Sequence, residues 1–298
     1  MVLLSVVIVD YRTPEDLRRC LTALHDCRPM PEVIVVDNAA SAAGRSPSAD
    51  LVRAEFPRVV LLTPGRNLWF CGGNNLGVAV AHGKYALLLN PDTIPPPGAL
   101  AALVAFMEAH PDYAGCTLRL CYPKSDGSAG DVQRTCSQIP TFSYLLWTQT
   151  ALRFVRPAHV RQLDQAHYYG DWTRDNERDV AALPGSCCLM RRDDLRLNEA
   201  LWLYFPEDDL ARRFAGRKFR FLTSHTIIHR EKSATRTALA TRVYFRDLLV
   251  YTRLHHGRTA AALMWLCSRP LAWGLALRWR LKTASVTRHS ASAAETSA

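Results

Sequence analysis

The feature that most constrains the fold is a set of short, wholly apolar runs in the first hundred residues, three of which close on a carboxylate. Residues 6–9 end at Asp10, residues 33–36 end at Asp37, and residues 85–89 run into Asn90-Pro91-Asp92. A fourth run covers 59–62. Between them lie helix signals. Thr13 is placed to cap a helix that has Pro14 at its first position and Glu15 and Asp16 in its first turn, with Leu17, Leu21 and Leu24 at helical spacing. Residues 51–56, 74–82 and 98–110 also read as helices. Apolar strands that alternate with helices predict an α/β architecture, a parallel sheet covered by helices on both faces. Such sheets bind ligands at the carboxyl ends of their strands, where Asp10, Asp37 and Asp92 stand.

Further along the regularity weakens. Residues 120–180 mix Gly, Ser, Asp and aromatic residues without a clear period and read as long loops. Strand-like character returns at 180–192, 219–222 and 225–228, with a helix at 210–215. From Arg242 the chain becomes helical and rich in Arg, Leu, Trp and Ala. The resulting division is a catalytic domain over 1–240, a helical region over 241–282 and a disordered Ser/Ala/Thr-rich tail over 283–298. No internal repeat is present.

Composition narrows the function classes. A chain of 298 residues that is 48% hydrophobic and 21% charged can bury a full core. Its net charge of +10 favours anionic partners. No nucleic-acid-binding motif accompanies it, so nucleic acid is not expected as a partner. The nine cysteines are scattered, with no CxxC, which argues against a zinc site or a disulfide framework and for small buried side chains in a reducing compartment. The opening apolar run lacks a basic leader and a cleavage site, so it reads as a buried first strand. No uncharged run of about 18 apolar residues occurs, so no membrane-spanning helix is expected.

Three segments carry possible chemistry. In Leu89-Asn90-Pro91-Asp92-Thr93 a buried strand delivers Asp92 to a cleft, where an oxygen ligand suits Mg2+ or Mn2+; Asp after Asn-Pro is also an ordinary turn residue. Tyr204-Phe205-Pro206-Glu207-Asp208-Asp209 places three acids at a helix start, either to offset the helix dipole or to supply a general base. His229 closes an apolar strand and is either a satisfied core histidine or, with Asp92, a metal ligand. A dinucleotide-dependent oxidoreductase would need a glycine-rich turn after the first strand, and Asp10-Tyr11-Arg12-Thr13-Pro14 contains no glycine.

Taken in order, these segments resemble the family 2 glycosyltransferases, in particular their rhamnosyltransferase-like branch. The resemblance rests on Val33-Ile34-Val35-Val36-Asp37-Asn38-Ala39, on Asn67-Leu68-Trp69-Phe70-Cys71-Gly72-Gly73-Asn74-Asn75-Leu76-Gly77, on Leu88-Leu89-Asn90-Pro91-Asp92-Thr93, and on Pro184-Gly185-Ser186-Cys187-Cys188-Leu189-Met190-Arg191-Arg192. It covers roughly residues 5–232. It implies a GT-A fold, a Rossmann-like nucleotide-diphosphosugar transferase sheet with helices on both faces, and an inverting, metal-dependent transfer. Asp37 would bind the base or ribose of a dTDP- or UDP-linked sugar, with Asp10 and Tyr11 in the same pocket. Asn67, Asn74 and Asn75 would line the donor pocket and hold its loop. Asp92, with Asn90 nearby, and His229 would hold Mg2+ or Mn2+, a Lewis acid for the leaving diphosphate. Glu207, or Asp208 after it, would be the base.

Three departures stand out. Asp10-Tyr11-Arg12 replaces the usual Thr-Tyr-Asn, Trp69 stands where Gly is usual, and Pro206 takes the place of the first acid in the relatives' YFEDxDL or YFEEDDL pattern. The last keeps open a catalytically inactive, binding-only relative acting as a membrane-associated partner. The C-terminal region interleaves Trp265, Trp273 and Trp279 with Arg258, Arg269, Arg278, Arg280 and Lys282. Such helices lie on anionic membranes, pack on a catalytic domain, or form a homodimer interface. The first reading suits a peripheral enzyme at the cytoplasmic face of a membrane, with a glycan, lipid-linked or small-molecule acceptor.

Overall fold

The computed structural model describes the backbone at residues 2–170, 172–231 and 237–295, and side chains as far as residue 279. The described chain falls into two compact units, one made of 1–140 and 165–232, the other of 141–164 and 233–298.

The first unit begins with β1 (Leu4–Asp10), α1 (Pro14–His25), β2 (Glu32–Asp37), α2 (Pro47–Glu55), β3 (Val60–Leu62), α3 (Trp69–Val80) and β4 (Tyr85–Leu89). These continue into β5 (Thr93–Ile94), α4 (Ala99–Ala109), β6 (Tyr113–Pro123) and β7 (Ala129–Val132). The sheet order is β3-β2-β1-β4, then β9 (Cys187–Arg191), β6, β10 (Lys218–His229) and β5; β7 pairs with β6, and β8 (Arg178–Val180) pairs with β10. β1, β2, β3 and β4 run parallel, while β9 is antiparallel to both β4 and β6. The sheet is therefore mixed, with β1, β2 and β4 buried and β3 at its edge, where Val60 is exposed. α7 (Pro206–Arg213) lies between β9 and β10 in the chain.

Local chemistry explains several boundaries. α2 starts earlier than its apolar pattern suggests, because Ser46 accepts a hydrogen bond from Ala49 N at 2.9 Å and Pro47 fills the first position. Thr13 precedes α1 as expected, but its hydroxyl donates to Asp10 instead of capping the helix. The two strand-like runs near the end of this unit are one strand, β10, interrupted by a register shift against β6 between Leu222 and Thr226.

α3 approaches β1 more closely than side chains would allow. A Cβ on Gly77 would stand 2.4 Å from Val7 Cγ1, and one on Gly73 would stand 2.9 Å from Val9 Cγ1. Val7 is fully buried in a strand paired on both sides, so it cannot move away. Gly77→Ala is expected to destabilise the protein by about 1–3 kcal/mol through overpacking, although alanine favours a helix. Chemical denaturation with an unchanged midpoint would refute this packing.

The second unit contains α5 (Phe142–Thr148), a 3-10 turn at Ala151–Phe154, most of α6 (Pro157–His167), and α8 (Ala238–Glu295). Residues 141–164, assigned to the first domain by sequence, thus cluster with the C-terminal helix. α8 breaks at Gly257, whose φ of 88° and ψ of 176° are not helical, and folds back so that Trp279 Nε1 donates to Thr241 Oγ1 at 3.1 Å. Tyr251 and Met264 are buried, whereas Trp265, Leu266, Trp273 and Leu277 are exposed. Contrary to expectation, the stretch Ala238–Trp279 is long and apolar enough to cross a membrane by length and composition, with a window of mean hydropathy 1.3. The single charge between Arg258 and Arg278 is Arg269, which divides the run without lowering its average much. The stretch expected as a disordered tail, 283–298, has side chains outside the described residues.

All nine cysteines are thiols, and eight are buried, with Cys267 of α8 the partial exception.

Candidate functional site

The carboxyl ends of β1 and β2 lie side by side, with Asp10 in register with Asp37. Both carboxylates are fully buried and bonded inside the protein. Asp10 accepts from Ser48 Oγ at 2.6 Å and from Thr13, while Asp37 accepts from Ala39 N at 2.9 Å and from Ser46. Burial pushes the Asp10 carboxyl up, against the two hydroxyls that donate to it, and the neighbouring Asp37 adds to the rise. The pair fastens the start of α2 beneath the strand ends, and Tyr11 projects partly into solvent beside it.

The asparagines organise the neighbouring loop. Asn67 Oδ1 accepts from Trp69 N at 2.7 Å, Asn38 Nδ2 donates to Trp69 O at 2.8 Å, and Asn74 Nδ2 donates to Phe70 O at 2.9 Å. Asn75 is bonded in both directions to Leu197 and donates to Glu199 Oε1 at 2.9 Å. Trp69 adopts a φ of 59°, which explains why glycine is usual there, and it stacks on Trp202 with ring centroids 5.3 Å apart. Phe205, just before the acidic cluster, is also left-handed, with a φ of 67°. Such backbone costs of order 1–3 kcal/mol per residue and persists where surrounding contacts hold it.

On the other side of β4, the turn after Leu89 meets the end of β10. His229 pairs in register with Thr93, next to Asp92. The His229 Nε2 atom lies 3.3 Å from Asp92 Oδ1 and 3.4 Å from Asn90 Nδ2. Both the imidazole and the carboxylate are largely buried, at 8% and 12% side-chain exposure, so only a rim opens to the cleft. Gln133 holds the other ring nitrogen, with Oε1 2.8 Å from Nδ1. A buried carboxylate facing an imidazole nitrogen, with an amide alongside, is a donor set that fits a divalent cation whose remaining ligands are water and phosphate oxygens. Among the described residues no third His, Cys, Asp or Glu joins them.

A cleft of about 490 Å³ links this pair to the acidic helix start. Its wall includes Asn90, Gln133, Arg134, Tyr168, Gly185, Ser186, Glu207 and His229. Ser186 O accepts from Asn90 N at 3.1 Å, and the adjacent Gly185 N donates to Glu207 Oε1 at 3.2 Å, so one dipeptide joins the two halves. A Cβ at residue 185 would lie 2.6 Å from Glu207 Oε1, which accounts for the glycine. Burial pushes the Glu207 carboxyl up, opposed by backbone donors that include Gly185 N. Asp208 is raised well above its ordinary value, first by burial and then by the Glu207 charge, with Arg212 opposing. Asp209 is buried, near Arg213 and Asn198.

The structure thus brings Asn90, His229 and Glu207 around one opening, with Asp92 largely buried beside His229, and keeps Asp10, Asp37 and Asn74 inside the protein. Sequence reasoning missed Gln133, Arg134 and Tyr168. Arg134 lies over the Tyr168 ring, 4.4 Å from its centroid. All three fall in the stretch that had no period to read.

Comparison with known proteins bears on the fold and the family. The described fold resembles the crystal structure of GalNAc-T7 with UDP, GalNAc and Mn2+, with a TM-score of 0.58 and 13% identity over 84% of this chain and 48% of that one. The chain spans about half the length of that structure. S. aureus TarS 1-349 matches with a TM-score of 0.49 and 13% identity, over 88% of this chain and 70% of that one. At 13% identity the likeness to GalNAc-T7 is one of fold, an α/β GT-A sheet. No curated protein sequence matches the chain. The model of glycosyl transferase family 2 matches residues 5–196, most of the first unit and well over half of the chain, and the protein therefore belongs to that family.

Proposed function

We propose that the protein is an inverting, metal-dependent glycosyltransferase that moves a sugar from a nucleoside diphosphate to a hydroxyl of a glycan, lipid-linked or small-molecule acceptor. The observation that carries this reading is the shared cleft, lined by Asn90, His229 and Glu207, in which Gly185-Ser186 is hydrogen-bonded to both Asn90 and Glu207 and Asp92 stands 3.3 Å from the His229 ring. Asp92 and His229 would hold Mg2+ or Mn2+, which supplies charge stabilisation for the departing diphosphate. Glu207 takes the acceptor hydroxyl's proton as that oxygen attacks the anomeric carbon, and its raised basicity suits the task. Asp10, Asp37 and Tyr11 shape the base and ribose end of the pocket from below, and Asn67, Asn74 and Asn75 keep its loop in place.

The resemblance of the motifs favours dTDP-L-rhamnose as donor, with UDP-hexoses as the competing class. A thermal-shift titration of dTDP, UDP and GDP, each with and without Mn2+, tests this. A selective, metal-dependent rise in Tm with dTDP is expected, since a ligand that binds only the folded state raises it by mass action. The same rise with UDP would move the donor to that class, and no rise with any nucleotide would refute the donor site. Pro206 sustains a second reading, a binding-only relative. Metal-dependent donor binding without release of nucleoside diphosphate, across acceptors and in donor hydrolysis, would establish it.

The second part of α8 is the face we assign to an anionic membrane surface, at the cytoplasmic side. Trp265 and Trp273 are 51% and 68% exposed, Arg258, Arg269 and Arg278 flank them, and no acid occurs between Asp247 and Glu295. The protein is expected to cosediment with vesicles of phosphatidylglycerol and phosphatidylcholine, and much less with phosphatidylcholine alone. Replacing Trp265 and Trp273 together by serine is expected to weaken this roughly tenfold or more, because two aromatic rings then stay out of the interface. Unchanged sedimentation would remove the membrane role, and a dimer in solution lost with the same substitutions would give this face to a second copy.

A further inference from the structure

We infer that Gln133 is a positioning residue that fixes the tautomer of His229 and thereby keeps the Asp92–His229 pair open to a cation. The inference rests on the metal-binding reading of that pair. Gln133 is 4% exposed, and two strands hold it in place. It follows β7, its backbone N–H donates to Leu120 O of β6 at 2.8 Å, and Cys121 of β6 is in register with both Val132 and Ile228. The side chain therefore spans from one strand end to the next. Its Nε2 donates to His229 O at 2.7 Å, and its Oε1 lies 2.8 Å from His229 Nδ1.

The assignment of protons follows from these two contacts. A backbone carbonyl can only accept, so the amide nitrogen of Gln133 must face His229 O. The amide oxygen then faces Nδ1, and an oxygen can only accept there, so Nδ1 carries the hydrogen. In the neutral ring Nε2 is left with its lone pair, between Asp92 Oδ1 at 3.3 Å and the weakly placed Asn90 Nδ2 at 3.4 Å. A lone pair facing a carboxylate oxygen is unfavourable until a positive charge comes between them. The alternative tautomer would carry the hydrogen on Nε2 and donate it to Asp92, closing the pair on itself. Gln133 disfavours that closed state, because it would leave the amide oxygen and Nδ1 facing each other as two buried acceptors. For the neutral ring, the double contact thus disfavours a histidine–aspartate hydrogen bond that would compete with the metal.

The test has two parts. In metal-free wild-type protein, 15N-detected NMR of the imidazoles, with His229 assigned by its absence from His229→Gln, is expected to show the Nδ1–H form. In Gln133→Leu, checked for an intact fold by its melting curve, the Nε2–H form is expected, together with at least tenfold weaker binding of Mn2+ alone, measured by electron paramagnetic resonance. The Nε2–H form in the wild type would overturn the inference, even if the leucine variant fails to fold. Equal Mn2+ affinity in wild type and Gln133→Leu would also overturn it. Should His229→Gln bind Mn2+ as tightly as wild type, the metal reading beneath would fail, and the tautomer would judge Gln133 separately.

Discussion

Asp92→Asn is expected to abolish metal-dependent donor binding and to lower kcat/KM roughly 10²- to 10⁴-fold, the equivalent of several kcal/mol of charge stabilisation. Asparagine has the shape of aspartate, so the turn from Asn90 to Thr93 stays intact, held by Thr93 Oγ1 donating to Asn90 O at 2.7 Å. What is lost is the negative charge beside His229 Nε2. A neutral amide also brings an N–H that can satisfy the imidazole lone pair, which fills the place meant for a cation. The melting temperature without metal is therefore expected to stay close to that of wild type, while the rise with Mn2+ and nucleotide disappears. A persistent metal-dependent rise in the variant would sink the assignment of Asp92. His229→Ala should behave alike with metal, but it also leaves Gln133 without its ring partner and is expected to melt lower.

Glu207→Gln should separate binding from turnover. The amide keeps the size of the side chain and can still accept from Gly185 N, so metal and donor bind as before. Without a base, turnover is expected to fall roughly 10²- to 10⁴-fold. The pH profile carries the same information. Because burial raises the Glu207 pKa, wild-type activity is expected to climb with pH through a value above the ordinary 4.5 and to level off beyond it. Stability moves in the opposite sense. Between the ordinary value and the raised one, the folded protein holds a proton that the unfolded chain has released, so stability falls as pH rises across that window and stays reduced above it. Glu207→Gln is thus expected to melt higher than wild type at neutral pH while being nearly inactive. If Asp208→Asn shows this combination and Glu207→Gln does not, the roles of the two acids are exchanged.

The parts of the fold that were legible in the sequence are those built by local periodicity and burial. β1, β2 and β4 are continuous apolar runs, and Asp92 could be placed because a strand that ends in Asn-Pro has to turn. α3 was seen only from Asn74, because Gly72 and Gly73 have poor helix propensity; the start at Trp69 is set by close packing on Val9 and by Trp202 O accepting from Phe70 N at 2.9 Å. Gln133, Arg134 and Tyr168 carry no pattern, since they stand in the connections after β7 and α6, where tertiary contacts alone fix their direction. β10 looked like two strands because its register shift lies between two apolar stretches. Asp10 and Asp37 show the opposite limit. Their positions at strand ends were evident, but the hydroxyls of Ser46 and Ser48 that turn them inward come from a helix whose start the apolar pattern did not mark.

The distribution of thiols makes the protein its own conformational clock. Burial pushes the Cys20 and Cys136 thiols up to about 12, so in the folded state they are both covered and almost wholly un-ionised at neutral pH. An alkylating reagent reaches such groups only when the structure that covers them opens, and the rate of their labelling counts those openings. Cys267, on the Trp-bearing part of α8, is the partly exposed exception. One sample treated with a single reagent therefore yields two separate readings: a slow one from the interior of the first unit, and a fast one that tells whether the C-terminal helix is covered.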